Sequence, residues 1–280
     1  MITAYFAMLR PAQWLKNLML FFPPFLGGEL RQPGIFTRGL VPLVAFCLVS
    51  SASYLFNDIL DRQRDALHPH KSSRPIPAGT ASVSGAAVLA VLLLLAGIGL
   101  ALPISSVFLG LLLAYATISV AYSLLLKTMP VVDLFCIAAG FLLRLQAGGE
   151  VFQVPISPWL FLSVFLLAIF LSTGKRLGEF RILGNAAGKH RKSLETYPPG
   201  FLDGIMYMTG GAVLVTYAIY TIPRPTLLYS VPLCAYGLLH YILRVQSGEN
   251  GDPTESLLKD RVLSLVGLIW GGMIWWSIYR

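Results

Sequence analysis

The sequence is poor in charge. Asp, Glu, Lys and Arg make up 12% of its 280 residues, roughly half the share of an ordinary soluble domain. So few ionised side chains exclude a water-soluble globule of this length. A hydrophobic share of 56% and a mean hydropathy of +0.71 say the same. Cysteine is scarcer still. Cys47, Cys136 and Cys234 are odd in number, scattered, and set inside apolar runs, which excludes a disulfide framework and a zinc site. Alternating apolar and polar positions are missing as well, which excludes a membrane β-barrel. Met1 to Leu9 lacks a basic stretch followed by a clean apolar core, so no cleavable signal peptide is expected. Acids are the rarest charged class, 13 against 21 bases, for a formal net charge of +8.

What is present is a series of apolar runs of roughly twenty residues, the length of a membrane-spanning helix. The expected fold is all-α and polytopic, a single integral membrane domain over 1–280 with about nine spans. An interfacial lead-in, 1–17, carries Tyr5, Phe6 and Trp14 beside Arg10 and Lys16. The spans are expected at about Leu18–Leu30, Leu40 into the acidic stretch below, Ser82–Leu102, Ser105–Leu126, Val131–Gly148, Pro158–Gly174, Phe201–Ile222, Leu227–Leu243 and Val262–Ile278. Pro23, Pro24, Gly27 and Gly28 break the first of these. Polar loops are expected at about 62–80, 127–130, 175–200 and 244–261. With the amino terminus in the cytoplasm, about sixteen basic residues face inside and about four outside, the positive-inside pattern. Topology thus accounts for the basic excess, and no nucleic-acid partner is implied. The expected location is the inner (plasma) membrane, with the site facing the cytoplasm.

The most informative stretch is Asn57-Asp-Ile-Leu-Asp-Arg-Gln-Arg-Asp65. Asp58, Asp61 and Asp65 recur at helical spacing and share one face, with Asn57 beside them. Like charges this close repel unless a cation sits among them. Oxygen ligands favour a hard ion, and Mg²⁺ commonly shares one or two carboxylates with substrate phosphates. A solvated acidic helix end, neutralised by Arg62 and Arg64, is the plainer reading. Lys71 and Arg74 follow in the same loop, where prolines fix the chain's course. They are phosphate-binding candidates or ordinary positive-inside charge.

Further along, Lys175, Arg176 and Glu179 form either a phosphate-binding patch or a simple Lys175–Glu179 helix pair. Tyr122 with Lys127 is either functional or an aromatic-belt residue with a snorkelling lysine. Arg144 falls mid-span, a costly position that points to a cavity or a buried partner. Asp133, eleven residues earlier, is one candidate for that partner. His190 and Arg191 sit in the most charged loop.

The motif Asn-Asp-x-x-Asp-x-x-x-Asp, together with His68-Pro-x-Lys-x-x-Arg-Pro75, resembles the UbiA superfamily of intramembrane prenyltransferases. That resemblance implies a nine-helix bundle with a cavity open to the cytoplasm. Most members carry a second acidic motif after the sixth helix. Here Lys175-Arg176-Leu177-Gly178-Glu179 stands in its place. The departure is similar to the polyprenyl-phosphate phosphoribosyltransferase branch. So are Leu9-Arg-Pro-Ala-Gln-Trp-Leu-Lys-Asn17, Tyr122-Ser123 with Lys127, Gly140 to Arg144, Gly174 with Lys175, Arg176 and Glu179, and Asp252 to Glu255 with Asp260-Arg261.

The resemblance implies transfer of 5-phosphoribose from 5-phosphoribosyl 1-pyrophosphate to a polyprenyl phosphate, in the making of a lipid-linked pentose for the cell envelope. It implies Mg²⁺ (or Mn²⁺) on Asp58, Asp61 and Asp65, with Asp58, Asp61 and Lys175 catalytic. Asn57, Lys16, Lys71, Arg74, Tyr122, Lys127, Arg144, Arg176, Glu179 and Arg191 are the substrate-binding candidates. Identical chains associating is compatible with this reading. Two other functions compete with this one. Prenyl transfer to an aromatic or haem-type acceptor is disfavoured by the missing second acidic motif. A cation transporter is disfavoured because the acids lie at a helix end and not on a broken helix at the midplane.

Overall fold

The computed structural model describes residues 2–67, 71–183, 196–249 and 251–280, whose regular elements are all helices. Among the described residues, eleven α-helices follow one another: α1 (Ile2–Met8), α2 (Phe22–Gly27), α3 (Ile35–Ala66), α4 (Val83–Ala101), α5 (Ser106–Leu124), α6 (Val132–Phe152), α7 (Pro158–Leu183), α8 (Phe201–Thr221), α9 (Val231–Gln246), α10 (Pro253–Lys259) and α11 (Arg261–Tyr279). Among the described residues, eight helical segments are long and apolar enough to cross a membrane: α3 to α8, α9 together with the 3₁₀ helix Pro225–Ser230 that runs into it, and α11. The chain is a multi-pass membrane protein.

The expected first span is not among those eight. Residues Pro11–Phe21 wind as a 3₁₀ helix that runs directly into α2. Eleven residues at about 2.0 Å and six at about 1.5 Å reach roughly 31 Å, close to the thickness of the hydrocarbon core. Tight winding supplies a length that the residue count lacks. Pro23 and Pro24 fall in the first turn of α2, where a missing N–H costs little. Gly28, at φ 85, ends the helix in the left-handed conformation that glycine takes freely.

Three expected loops are partly α-helix. α3 holds 32 residues, about 48 Å at 1.5 Å each, so it outruns the apolar core and lifts the acidic stretch into the polar zone. α7 does the same and carries Lys175, Arg176 and Glu179 as helical residues. Within 244–261, α10 forms a short helix of its own, with Asp252 accepting from the Thr254 and Glu255 amides as its N-cap. His68, Pro69, His70, His190 and Arg191 lie outside the described residues.

The chain packs as two compact units, Met1–Pro24 with Leu30–Met129 and Leu143–Val154, and Phe25–Glu29 with Pro130–Leu142 and Pro155–Arg280. In the first, Phe46 of α3 is fully buried against Phe108 and Tyr115 of α5, with Leu20 and Ala147 in the same cluster. Small residues allow this closeness. A Cβ on Gly148 would lie 2.1 Å from the Leu20 carbonyl oxygen, and one on Gly97 would lie 2.6 Å from Val49. In the second, Phe170 of α7 packs on Tyr241 of α9, joined by Leu177, Leu202 and Met206.

Candidate active site

The acidic face of α3 is built as spacing predicts, and cations from three other segments meet it. Asp58 and Asp65 are buried, while Asn57 and Asp61 are half-buried. Arg62 and Arg64 lie exposed, and Arg64 approaches Asp61 no closer than 3.9 Å. The neutralising partners are therefore other residues. Arg10 donates through Nη2 to both oxygens of Asp58, at 2.5 and 2.8 Å. Arg74 bridges Asp58 at 3.1 Å and Asp65 at 2.5 Å. Lys127 is buried, with its Nζ 2.7 Å from both oxygens of Asp61 and 3.1 Å from Asn57 Oδ1. Lys127 does not snorkel to the interface: it turns inward onto α3. Lys71 is half-buried in the Arg74 turn, where its carbonyl accepts from the Arg74 amide. Tyr122 is half-buried on α5, five residues before Lys127, and Lys16 is half-buried beside the fully buried Asn17.

This donor set fits a small hard cation. All its ligands are oxygens, and three of them already converge on one point charge, the Lys127 ammonium. No group of three His, Cys, Asp or Glu that could by itself hold a metal exists among the described residues. An ion here would draw on one or two carboxylates and complete its shell from outside, which is the habit of magnesium with phosphates.

Deeper in the same unit, Arg144 finds neutral partners. Its Nε donates to Asn17 Oδ1 at 2.7 Å and its Nη2 to the Tyr115 hydroxyl at 3.0 Å. Its guanidinium lies 4.3 Å from the Tyr115 ring centroid and 5.9 Å from that of Phe46. Asp133 is not its partner. Eleven helical residues separate the two by about 16 Å along the axis, beyond the reach of an ion pair.

In the second unit, Asp133 instead takes Arg176. Arg176 is almost wholly buried, its Nε 2.9 Å from Asp133 and its Nη1 3.1 Å from Glu179. Tyr197 donates to the other Asp133 oxygen at 3.1 Å and accepts from the Val131 amide at 2.6 Å. Burial pushes the Tyr197 phenol up to about 12, so it stays protonated through neutral pH. That node secures Val131 at φ 66, a costly conformation for a β-branched residue. The Lys175–Glu179 pair does not form. Glu179 pairs with Arg176, and Lys175 reaches Asp252 at 2.8 Å with a third of its side chain exposed. Gly251 presses against α7 so closely that a Cβ would lie 2.1 Å from the Gly174 oxygen. Tyr241 clamps it by donating to the Gly251 carbonyl at 2.6 Å.

Sequence reasoning missed Arg10 and Asp252 as site partners. Both lie in stretches carrying the resemblance, but an ion pair across 48 or 77 residues leaves no local pattern. Arg191 lies outside the described residues.

The UbiA prenyltransferase family model matches residues 20–266. The chain belongs to the UbiA prenyltransferase family. It is 34% identical to the decaprenyl-phosphate phosphoribosyltransferase of Corynebacterium glutamicum, over 97% of this chain and 85% of that one. It is 32% identical to the enzyme of the same name from Mycolicibacterium smegmatis, over 96% and 91%. Among solved structures, a UbiA homolog from Archaeoglobus fulgidus bound to GPP and Mg2+ superposes with a TM-score of 0.77, covering 99% of each chain at 22% identity. The shared fold of UbiA proteins is thus present over nearly the full length.

The burial of Arg176 separates it from its neighbour. Arg176→Met should leave Asp133 charged, buried and short of its cation, at a cost of about 3–5 kcal/mol. Lys175→Met should change stability less, because a third of its side chain already meets solvent. Thermal unfolding in detergent checks this, and equal losses for the two variants would overturn the distinction.

Proposed function

We propose that this chain transfers 5-phosphoribose from 5-phosphoribosyl 1-pyrophosphate to a polyprenyl phosphate, releasing pyrophosphate. The observation that carries this is near full-length likeness, at 32–34% identity, to proteins named decaprenyl-phosphate phosphoribosyltransferase. The basic pair Lys175-Arg176, standing where most of the superfamily has acids, supports the same donor. In the reaction an acceptor phosphate oxygen bonds to the anomeric carbon as the bond from that carbon to pyrophosphate breaks. The bonding pair leaves with pyrophosphate, and the acceptor, already an anion, needs no strong base.

The chain's residues act by position and charge. The α3 face binds the diphosphate, with one or two carboxylates of the set Asp58, Asp61 and Asp65 as ligands of Mg²⁺ and Asn57, Arg74 and Lys127 as donors to the leaving group. Bound there, Mg²⁺ would supply charge neutralisation for departing pyrophosphate, and the A. fulgidus UbiA homolog bound to Mg2+ supports that assignment. Lys175 is assigned to the donor's 5-phosphate. It is the exposed member of the basic pair and has one carboxylate partner to exchange. Arg176 braces that helix end from within. The membrane supplies the lipid acceptor, and the positive-inside count puts the acidic stretch on the cytoplasmic face.

Detergent-solubilised protein given a polyprenyl phosphate and labelled 5-phosphoribosyl 1-pyrophosphate should move label into the organic phase. Excess chelator should abolish that transfer, and Asp58→Asn or Asp61→Asn should nearly do so. Transfer unimpaired by chelation would refute the metal assignment, and label transfer only from a prenyl diphosphate would refute the donor. Lys175→Ala should raise the donor KM and lower kcat/KM by roughly ten- to a hundredfold, the worth of one charged hydrogen bond. The lipid KM should change far less. The opposite pattern would move Lys175 to the acceptor phosphate. A single cysteine at Ser72 should react with impermeant reagents only from the cytoplasmic side; periplasmic labelling would invert the topology.

A further inference from the structure

We propose that Arg10 is a diphosphate-binding residue held in reserve on Asp58. Its guanidinium competes with a divalent cation for that carboxylate and passes to the donor's diphosphate when the two ligands arrive together. The inference rests on the reading above that the α3 acids hold a metal with a diphosphate.

Charge counting carries the first step. Asp58, Asp61 and Asp65 meet Arg10, Arg74 and Lys127, three negative charges against three positive. These three direct pairs balance in charge and are largely withdrawn from water, while Arg64, 3.9 Å from Asp61, and Lys71, beside Asp65, add further positive charge around them. A divalent cation entering alone would face those three bases and find both oxygens of Asp58 already taken. A diphosphate entering alone would face the three acids. Entering together, the two nearly cancel in charge. Each displaced guanidinium or ammonium then finds phosphate oxygens in place of the carboxylate it gives up, and the arginine fork suits either acceptor. Metal and diphosphate binding should therefore be strongly coupled, and by linkage equally in both directions.

Backbone geometry carries the second step. Arg10 sits at φ 54 and ψ 60, the left-handed region, and is followed by Pro11. Non-glycine residues avoid that region, and a following proline adds restriction. Strain of this kind persists where surroundings fix it, commonly at binding sites. Here Ser51 fixes it, donating to the Leu9 carbonyl at 2.8 Å and accepting from Trp14 Nε1 at 3.0 Å. Ser51, Tyr54 and Asp58 stand on successive turns of α3. The first pins the corner, the second lies under the guanidinium with its ring centroid 5.2 Å away, and the third takes the hydrogen bonds. Neutralising Asp58 does not by itself require this arrangement, because Arg74 already reaches the same carboxylate at 3.1 Å. A glycine would turn the corner without strain. The side chain is a quarter exposed and can change partner while its backbone stays pinned.

Mn²⁺ binding to the full chain in detergent, followed by electron paramagnetic resonance with and without inorganic pyrophosphate, tests this. The wild type should bind Mn²⁺ weakly alone and markedly tighter with pyrophosphate, by a factor within the usual five- to 150-fold range of coupling. Arg10→Gly removes the whole side chain, guanidinium included, and relieves the left-handed corner. It should bind Mn²⁺ alone about tenfold tighter and lose about tenfold of the coupling. Arg10→Gln should shift both quantities in the same direction and serves if the glycine variant does not fold. Wild-type values of both quantities in either folded variant, or weaker Mn²⁺ binding, would overturn the proposal. Asp58→Asn tests the underlying reading separately. If it binds Mn²⁺ with pyrophosphate as the wild type does, the metal-diphosphate assignment itself fails; if it loses that binding while the Arg10 variants match the wild type, only the role of Arg10 fails.

Discussion

Three carboxylates on one face of α3 are unsustainable alone, and much of the first unit's polar end is arranged around compensating them. Each neutralising cation comes from a different part of the chain: Arg10 from the corner before the 3₁₀ helix, Arg74 from the turn after α3, Lys127 from the turn after α5. The carboxylates thereby act as fixed anchors that draw three otherwise unrelated segments to one place. Ion pairs so withdrawn from water need close geometry to offset desolvation. The two-pronged and bridging contacts of Arg10 and Arg74 supply it. Each acid of the face is thereby held against a base of this same chain.

The second unit handles its basic pair differently. Arg176 is sealed between Asp133 and Glu179, with Tyr197 completing Asp133, and so serves the fold. Lys175, one residue away and turned by about 100° on the helix, meets Asp252 near the surface. The loop bearing Asp252 can lie there because Gly174 and Gly251 allow backbone-to-backbone contact. Of these two consecutive cations, one is sealed inside the fold and the other is part-exposed.

Much was legible in the sequence because its cause was local. Apolar runs of membrane length pointed to about nine spans, and eight long apolar helices are present among the described residues. The intervals of three, four and seven placed Asp58, Asp61 and Asp65 on one face without knowledge of any neighbour. Adjacency of Lys175 and Arg176 meant that both could not point at one atom, and Arg176 does brace Glu179. The first helical segment was obscured because its 3₁₀ winding changes the rise per residue, which composition does not encode.

What the sequence by itself determined was the class of the molecule, the helical register of its charged residues and the chemistry those residues are suited to. Each of these follows from hydrophobicity and from the 3.6-residue period, acting within one segment. Only the tertiary structure decided which charge answers which. It paired Arg10 with Asp58 across 48 positions, turned Lys127 from the interface onto Asp61, and gave Asp133 to Arg176. Ion pairing depends on distance in space, and that distance is set by how helices pack, which no interval along the chain records.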